Sequence, residues 1–192
     1  MDILYRIADW DKELFLYINS HHIAWLDPVM LALSSFTSWI IICIAIIAFM
    51  VYKGGRWKYA APFFMLLTIG LNSLLNHIVK QFVARPRPVN VEAWEGVIHA
   101  LEEASATSFS FYSAHSSNSF SMAVFSLLFF RNKKYSWVIL IWATLVAYSR
   151  IYVGKHYPVD IMVGTLFGIM MGFLCYKLFD IYKERKLRTD NL

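Results

Sequence analysis

Charge is what this sequence has least of. Only 16% of its 192 residues are Asp, Glu, Lys or Arg, against roughly 25% in soluble domains, so lipid rather than water is the expected solvent. From Pro28 to Tyr52, and again from Tyr59 to Val79, there is no charged residue at all. Each stretch reaches the ~20 residues that a helix needs to cross hydrocarbon. Cysteine is equally sparse. Cys43 and Cys175 both fall in apolar stretches, where a free thiol behaves as a small hydrophobe, so neither a disulfide nor a metal site is expected. No long linker, repeat or low-complexity stretch divides the chain, so residues 1–192 read as a single domain with its core at about 28–180. Residues Met1–Ser20 mix Asp2, Arg6, Asp9, Asp11, Lys12 and Glu13 with apolar residues and lack the basic start and short apolar core of a cleaved signal. The first span is therefore expected to direct insertion.

What is present is hydrophobicity at 58% and aromatic content at 17%, distributed as a polytopic, all-α membrane bundle would have it. Leu4, Ile7, Leu14 and Ile18 recur at helical spacing with charges opposite, predicting an amphipathic helix in the membrane interface. Five crossings follow, at about 28–52, 57–79, 114–130, 135–152 and 158–180. The net charge of +5 gives no nucleic-acid face, because the basic residues sit in short gaps between apolar segments. Lys53, Arg56 and Lys58 form one cluster, Arg131, Lys133 and Lys134 a second, and Lys177, Lys183, Arg185, Lys186 and Arg188 a third. The positive-inside rule makes these cytoplasmic, together with the C-terminus, and puts the segments 80–113 and 150–157 outside a cell (inner) membrane.

Reactive side chains gather on that outer side. Lys80 and Arg87 follow the second span, Ser113 and His115 open the third, Arg150 closes the fourth, and His156 and Asp160 open the fifth. Three cations suit a multiply charged oxyanion, and the arginine fork matches phosphate. The helix start near His115 adds backbone N–H groups and Ser113 a hydroxyl. His156 and Asp160, four residues apart with Pro158 in the first turn, share a helix face. Such an Asp fixes the imidazole tautomer and leaves its other nitrogen free to attack, while His115 from another helix can protonate the leaving oxygen. Taken singly, each cation could instead anchor headgroups by snorkelling; the two histidines in register favour a phosphate site. Arg85 is expected to be a rim or headgroup contact, and His21, His22 and His99 to be solvated.

The spacing also matches a known pattern. Lys80 to Pro88 fits KxxxxxxRP, Tyr112-Ser113-Ala114-His115 resembles PSGH, and Ser149 to Asp160 fits SRxxxxxHxxxD. Over about residues 28–180 the chain resembles the type 2 phosphatidic acid phosphatases, which are related to vanadium haloperoxidases. The resemblance implies a metal-independent phosphatase, without a cofactor, that forms a phosphohistidine intermediate. By position it makes His156 the nucleophile, Asp160 its orienter and His115 the acid, with Lys80, Arg87, Ser113, Ala114 and Arg150 binding phosphate. Tyr112 and Ala114 depart from the motif, and an Ala is strained wherever Gly supplies an unusual backbone conformation.

The expected partner is a membrane lipid phosphate. Undecaprenyl diphosphate is favoured, lipid A phosphate stands next, and phosphatidylglycerophosphate and phosphatidate remain candidates. Haloperoxidation and a non-catalytic lipid-binding or transport role are the rivals. Asn72, Ser73, Asn76 and His77 form a polar stripe leading to Lys80, expected to serve structural hydrogen bonds. Gly164, Gly168 and Gly172 predict a close packing seam within the bundle, with a homodimer interface as the alternative. Val91, Trp94, Ile98 and Leu101, interleaved with Glu92, Glu95, Glu102 and Glu103, suggest a short interfacial helix or a structural cover.

Overall fold

A computed structural model describes residues 2–102 and 108–190; Glu103 lies outside them. It contains α1 (Asp2–Ser20), α2 (Asp27–Ser34), α3 (Phe36–Lys53), α4 (Ala60–Val83), α5 (Ala114–Phe130), α6 (Lys133–Tyr152) and α7 (Pro158–Asp190). Among the described residues the only β pairing is one isolated bridge, Pro86 to Phe109, so the fold is all-α as expected. By length and composition α3, α4 and α7 can each cross a membrane. At 17 residues α5 is shorter, and it packs against α4, α6 and α7 as the central helix. The outer faces of the bundle expose Ile41, Phe63, Leu74, Trp137, Leu166 and Phe173, a surface that suits lipid rather than water.

The expected first crossing is in fact two helices. Ser35 adopts an extended conformation (φ −72°, ψ 142°) and its hydroxyl accepts from the Ser38 N–H at 3.1 Å, capping α3. A serine offers the backbone this local partner even inside an apolar run. The break turns Ser34 inward, where its carbonyl and hydroxyl both accept from Arg150.

Helix α1 is amphipathic as expected, and it also docks onto the bundle. Ile3, Ile7 and Trp10 are exposed, as a lipid-facing stripe requires, but Asp11, Phe15 and Asn19 are buried. These three recur every four residues and dock α1 onto α6 and α7. Phe15 stacks on Trp94 at 5.4 Å. The Asn19 amide donates to His99 and Tyr152 carbonyls, each at 3.0 Å. Among its described residues the segment after α4 contains only short 3-10 turns, Pro88–Asn90 and Glu92–Trp94, and these cover α1 and α6 instead of forming an interfacial helix. His99, expected to be solvated, pairs with Asp27 at 3.0 Å and stacks on His22 at 3.6 Å.

The glycine seam is real and lies within one chain. A Cβ on Gly164 would stand 2.8 Å from the Ser113 carbonyl oxygen and one on Gly172 2.6 Å from that of Ser121; at Gly168 the Ser117 carbonyl is closer still. α5 and α7 therefore touch backbone to backbone, and Ser116 Oγ bridges them by bonding Thr165 Oγ1 at 2.9 Å. The polar stripe of α4 bonds α5 as expected: Asn72 Nδ2 donates to Ser117 at 3.0 Å, Asn118 Nδ2 to Ser73 at 2.9 Å, and Asn76 Nδ2 to the Tyr112 carbonyl at 2.7 Å. His77 is exposed and takes no part. The three basic clusters meet at the other end of the bundle, where Lys53 and Asn132 line one hollow of about 520 Å³, Arg56 pairs with Asp190 and Arg131 reaches Tyr176 at 3.5 Å.

Candidate active site

At the end opposite those clusters, the starts of α5 and α7 and the ends of α4 and α6 converge. Gly154 (φ +85°) closes α6 in a left-handed conformation, and the amides of Lys155 and His156 fold back onto the Arg150 carbonyl at 3.0 and 3.1 Å. That turn buries His156, and Pro158 then starts α7. Asp160, fully buried, reaches back to accept the Tyr157 N–H at 3.0 Å, the way a third-position acid caps a helix start. The same oxygen, Oδ2, lies 3.5 Å from His156 Nδ1.

On its other face the imidazole meets Arg87, whose Nη1 lies 3.2 Å from Nε2 and 3.2 Å from the Lys155 carbonyl. The Arg87 Nε donates to Ser108 at 2.8 Å. Lys80 Nζ donates to the Phe109 carbonyl at 2.7 Å. Arg150, held by Ser34, lies 3.8 Å from Glu102, which pairs more closely with Lys155 at 2.6 Å. Ser113 is buried as the N-cap of α5, accepting from Ser116 N–H at 3.3 Å while its own N–H donates to the Asp160 carbonyl at 3.1 Å. Ala114 is the first residue of α5 and is not among the positive-φ residues, so the Ala at this motif position carries none of the strain feared for it. The Tyr112 ring, in place of a proline, stacks on Phe167 at 4.9 Å.

His115 Nε2 is buried with no hydrogen-bond partner among the described residues. It lines a recess of about 100 Å³ with Phe36, Trp39, Ala114 and Asn118. The sequence-predicted set is therefore brought to one place, and the electrostatics at the nucleophile position agree. Burial holds the His156 imidazole well below its usual pKa, and Arg87, Lys80, Arg150 and His115 push it further in the same direction. Burial also lowers Arg87, with Asp160 and Glu102 opposing. A neutral imidazole ringed by cations is poised both to attack and to hold an anion. Among the described residues no three His, Cys, Asp or Glu side chains are arranged to hold a metal ion.

Arg85 is not a rim residue. Its Nη1 donates to Asp160 Oδ1 at 2.9 Å and its Nη2 to Asp11 Oδ2 at 2.7 Å, while its guanidinium lies 3.7 Å over the Tyr157 ring. Asp11, Lys155, Glu102 and Ser34 likewise reach the site or its supports without occupying a specified motif position. The only sequence trace of Asp11 is its four-residue spacing from Phe15 and Asn19, a mixed stripe that hydrophobic periodicity passes over.

Comparison with known proteins bears on the family and the fold. The family model described as the PAP2 superfamily matches residues 61–183. A lipid A 4'-phosphatase of Porphyromonas gingivalis is 30% identical over 94% of this chain and 78% of its own length. An undecaprenyl-diphosphatase of Bacillus subtilis is 29% identical over 89% of this chain and 85% of its own. The crystal structure of a PAP2-type phosphatidylglycerolphosphate phosphatase from Bacillus subtilis superimposes with a TM-score of 0.75 at 25% identity, covering 92% of this chain and 87% of that one.

Proposed function

This chain belongs to the PAP2 superfamily, and we propose that it hydrolyses a membrane lipid phosphate through a covalent intermediate on His156. It is an integral membrane lipid phosphatase. The observation that carries the residue roles is the disposition of His156: one ring nitrogen faces the Asp160 carboxylate and the other faces the Arg87 guanidinium. Nε2 attacks phosphorus, the bond from phosphorus to the lipid oxygen breaks, and His115 delivers a proton to that oxygen. Water then attacks the phosphohistidine, His115 takes its proton, the P–N bond breaks, and inorganic phosphate leaves. Asp160 fixes the ring and stabilises the positive charge it gains. Lys80, Arg87 and Arg150, with Ser113 and the amide at Ala114, hold the phosphoryl oxygens.

The recess beside His115 favours one substrate class. Its walls at Phe36 and Trp39 are aromatic, which suits a polyprenyl tail lying beside the phosphates better than a sugar. Undecaprenyl diphosphate is therefore the leading substrate. The similarity to a lipid A 4'-phosphatase supports lipid A phosphate as the second reading. The deciding experiment measures phosphate released from each lipid by purified protein in detergent with EDTA. Fastest release from the polyprenyl diphosphate is expected. A preference for lipid A would reverse the order, and activity that required added Mg²⁺ or Zn²⁺ would overturn the metal-free mechanism.

Orientation follows from charge. The three basic clusters share the end remote from His156, so the site faces outward and the C-terminus the cytoplasm. In a background without Cys43 and Cys175, a cysteine at Glu95 should react with an impermeant thiol reagent in intact cells and one at Asn132 should not. The inverse labelling would invert the topology.

A further inference from the structure

Residues 61–183 are those the family model matches, yet a buried carboxylate reaches the site from outside them. Asp11 of α1 is 1% exposed. Its Oδ1 accepts the Val159 N–H at 2.8 Å in the first turn of α7, and its Oδ2 accepts from Arg85 at 2.7 Å. Arg85 continues to Asp160 at 2.9 Å, and the stacking on Tyr157 fixes its plane. With Oδ1 held by Arg85 and Oδ2 by the Tyr157 amide, the Asp160 carboxylate has no rotation left. We propose that Asp11 and Arg85 are positioning residues of the phosphatase, forming a relay from α1 through Asp160 that aims and charges the His156 nucleophile.

The reason lies in the charge count as much as in the geometry. Arg85 paired with Asp160 alone would neutralise the carboxylate that must stabilise His156 once it carries a phosphoryl group and a positive charge. Asp11 shares the guanidinium, so the group of three keeps one net negative charge beside the imidazole. Removing Asp11 leaves a neutral pair. Removing Arg85 leaves two like carboxylates near one another and frees Asp160 to turn, which loosens the ring it orients. α1 is thus part of the catalytic apparatus rather than only a membrane-surface helix.

The inference rests on the roles assigned to His156 and Asp160, so the test includes a variant that addresses those roles separately. Asp11→Asn, Arg85→Gln, Arg85→Lys, the double variant Asp11→Asn/Arg85→Gln and His156→Ala are purified in detergent and compared by melting temperature, kcat and KM. Loss of an outer partner of an oriented group typically costs about 10- to 100-fold. Asp11→Asn is expected near the low end and Arg85→Gln near the high end, with KM changed by less than about threefold, as for an interaction felt in the transition state. The double variant should be no slower than Arg85→Gln alone, because both act on one relay. Arg85→Lys should recover part of the loss by restoring charge without the fork. If Arg85→Gln fails to fold, the nearly isosteric Asp11→Asn carries the test alone. Folded Asp11→Asn and Arg85→Gln with wild-type kcat beside an inactive His156→Ala would overturn the relay. So would a kcat loss that merely follows melting temperature and is not recovered by Arg85→Lys. Turnover by folded His156→Ala would instead overturn the site reading beneath it.

Discussion

From Ala114 to Ser121, α5 carries Ser116, Ser117, Asn118, Ser119 and Ser121; from Met122 to Phe130 its one polar residue is Ser126. The facing α7 changes in step, presenting Gly164, Gly168 and Gly172 to the polar half and Cys175, Tyr176 and Phe179 to the apolar half. The site end is held by directional bonds and backbone contact, the basic end by interlocking rings such as Phe125, Phe129, Tyr176 and Phe179. The basic end has the larger hollow, about 520 Å³, but its wall holds one lysine, Lys53, and neither a histidine nor a carboxylate to pair with it. Volume is therefore a poor guide to chemistry in this protein. Where buried groups must keep a fixed orientation the chain uses hydrogen bonds, and where it needs only cohesion it uses aromatic bulk.

Four measurements would break or sharpen that contrast. The largest effect belongs to the site end: His156→Ala should abolish phosphate release, a loss of at least about 10⁴-fold, and Asp160→Asn should cost about 10²–10⁴-fold, both with near-wild-type melting in detergent. Turnover by a folded His156→Ala would remove the nucleophile from the scheme. At the basic end the converse is expected. Phe179→Ala, deleting a fully buried ring packed on Trp57, Phe64, Phe125 and Tyr176, should cost about 3 kcal/mol of stability. That is the lower end for such truncations, since lipid solvates the unpacked helix too. The kcat of the protein that remains folded should hardly change, and a large kcat loss would show that the two ends are not separable.

Gly168→Ala tests the seam between them. The added methyl would press on the Ser117 carbonyl and stand 3.0 Å from Phe120 Cβ, so overpacking of about 1–3 kcal/mol is expected, together with a fall in kcat as α5 and His115 shift relative to His156. Unchanged melting and turnover would mean that the seam is looser than its geometry. The smallest effect is on pH dependence. Burial and nearby cations keep His156 neutral in the folded protein well below its usual range, whereas the unfolded chain takes up that proton as pH falls through about 6.5. Stability is then complete above that pH and declines below it. Wild type should therefore lose more thermal stability than His156→Ala between about pH 7 and about pH 5; equal losses would place the titration elsewhere.

Much of this was legible in the sequence, and what was not has physical reasons. The uncharged runs marked α3 and α4, and Lys80, Arg87, Ser113, His115, Arg150, His156 and Asp160 could be grouped because spacing and helix direction place them at one end. The break at Ser35 was hidden because a single hydroxyl capping Ser38 leaves hydropathy unchanged. Helix α1 was read by its apolar residues, but its docking face is Asp11, Phe15 and Asn19, two of them polar and recognisable only from partners far along the chain, such as Val159 and Tyr152. Arg85 was misplaced for the same reason: the sequence shows an arginine near a motif, and only the fold shows two carboxylates converging on it.

The length of α7 sets the draught of the whole molecule in the bilayer. Its 33 residues make a rod of about 50 Å at 1.5 Å per residue, while the hydrocarbon layer is only about 30 Å thick. From Asp160 to Lys177 the axis measures about 26 Å, close to that thickness, and beyond Lys177 come Lys183, Arg185, Lys186 and Arg188, which cannot be drawn into oil. On the proposed topology the basic tail acts as a float line on one face, and the rigid helix would transmit that level to the other, holding His156 at the depth where a lipid's phosphate meets water while its hydrocarbon stays submerged.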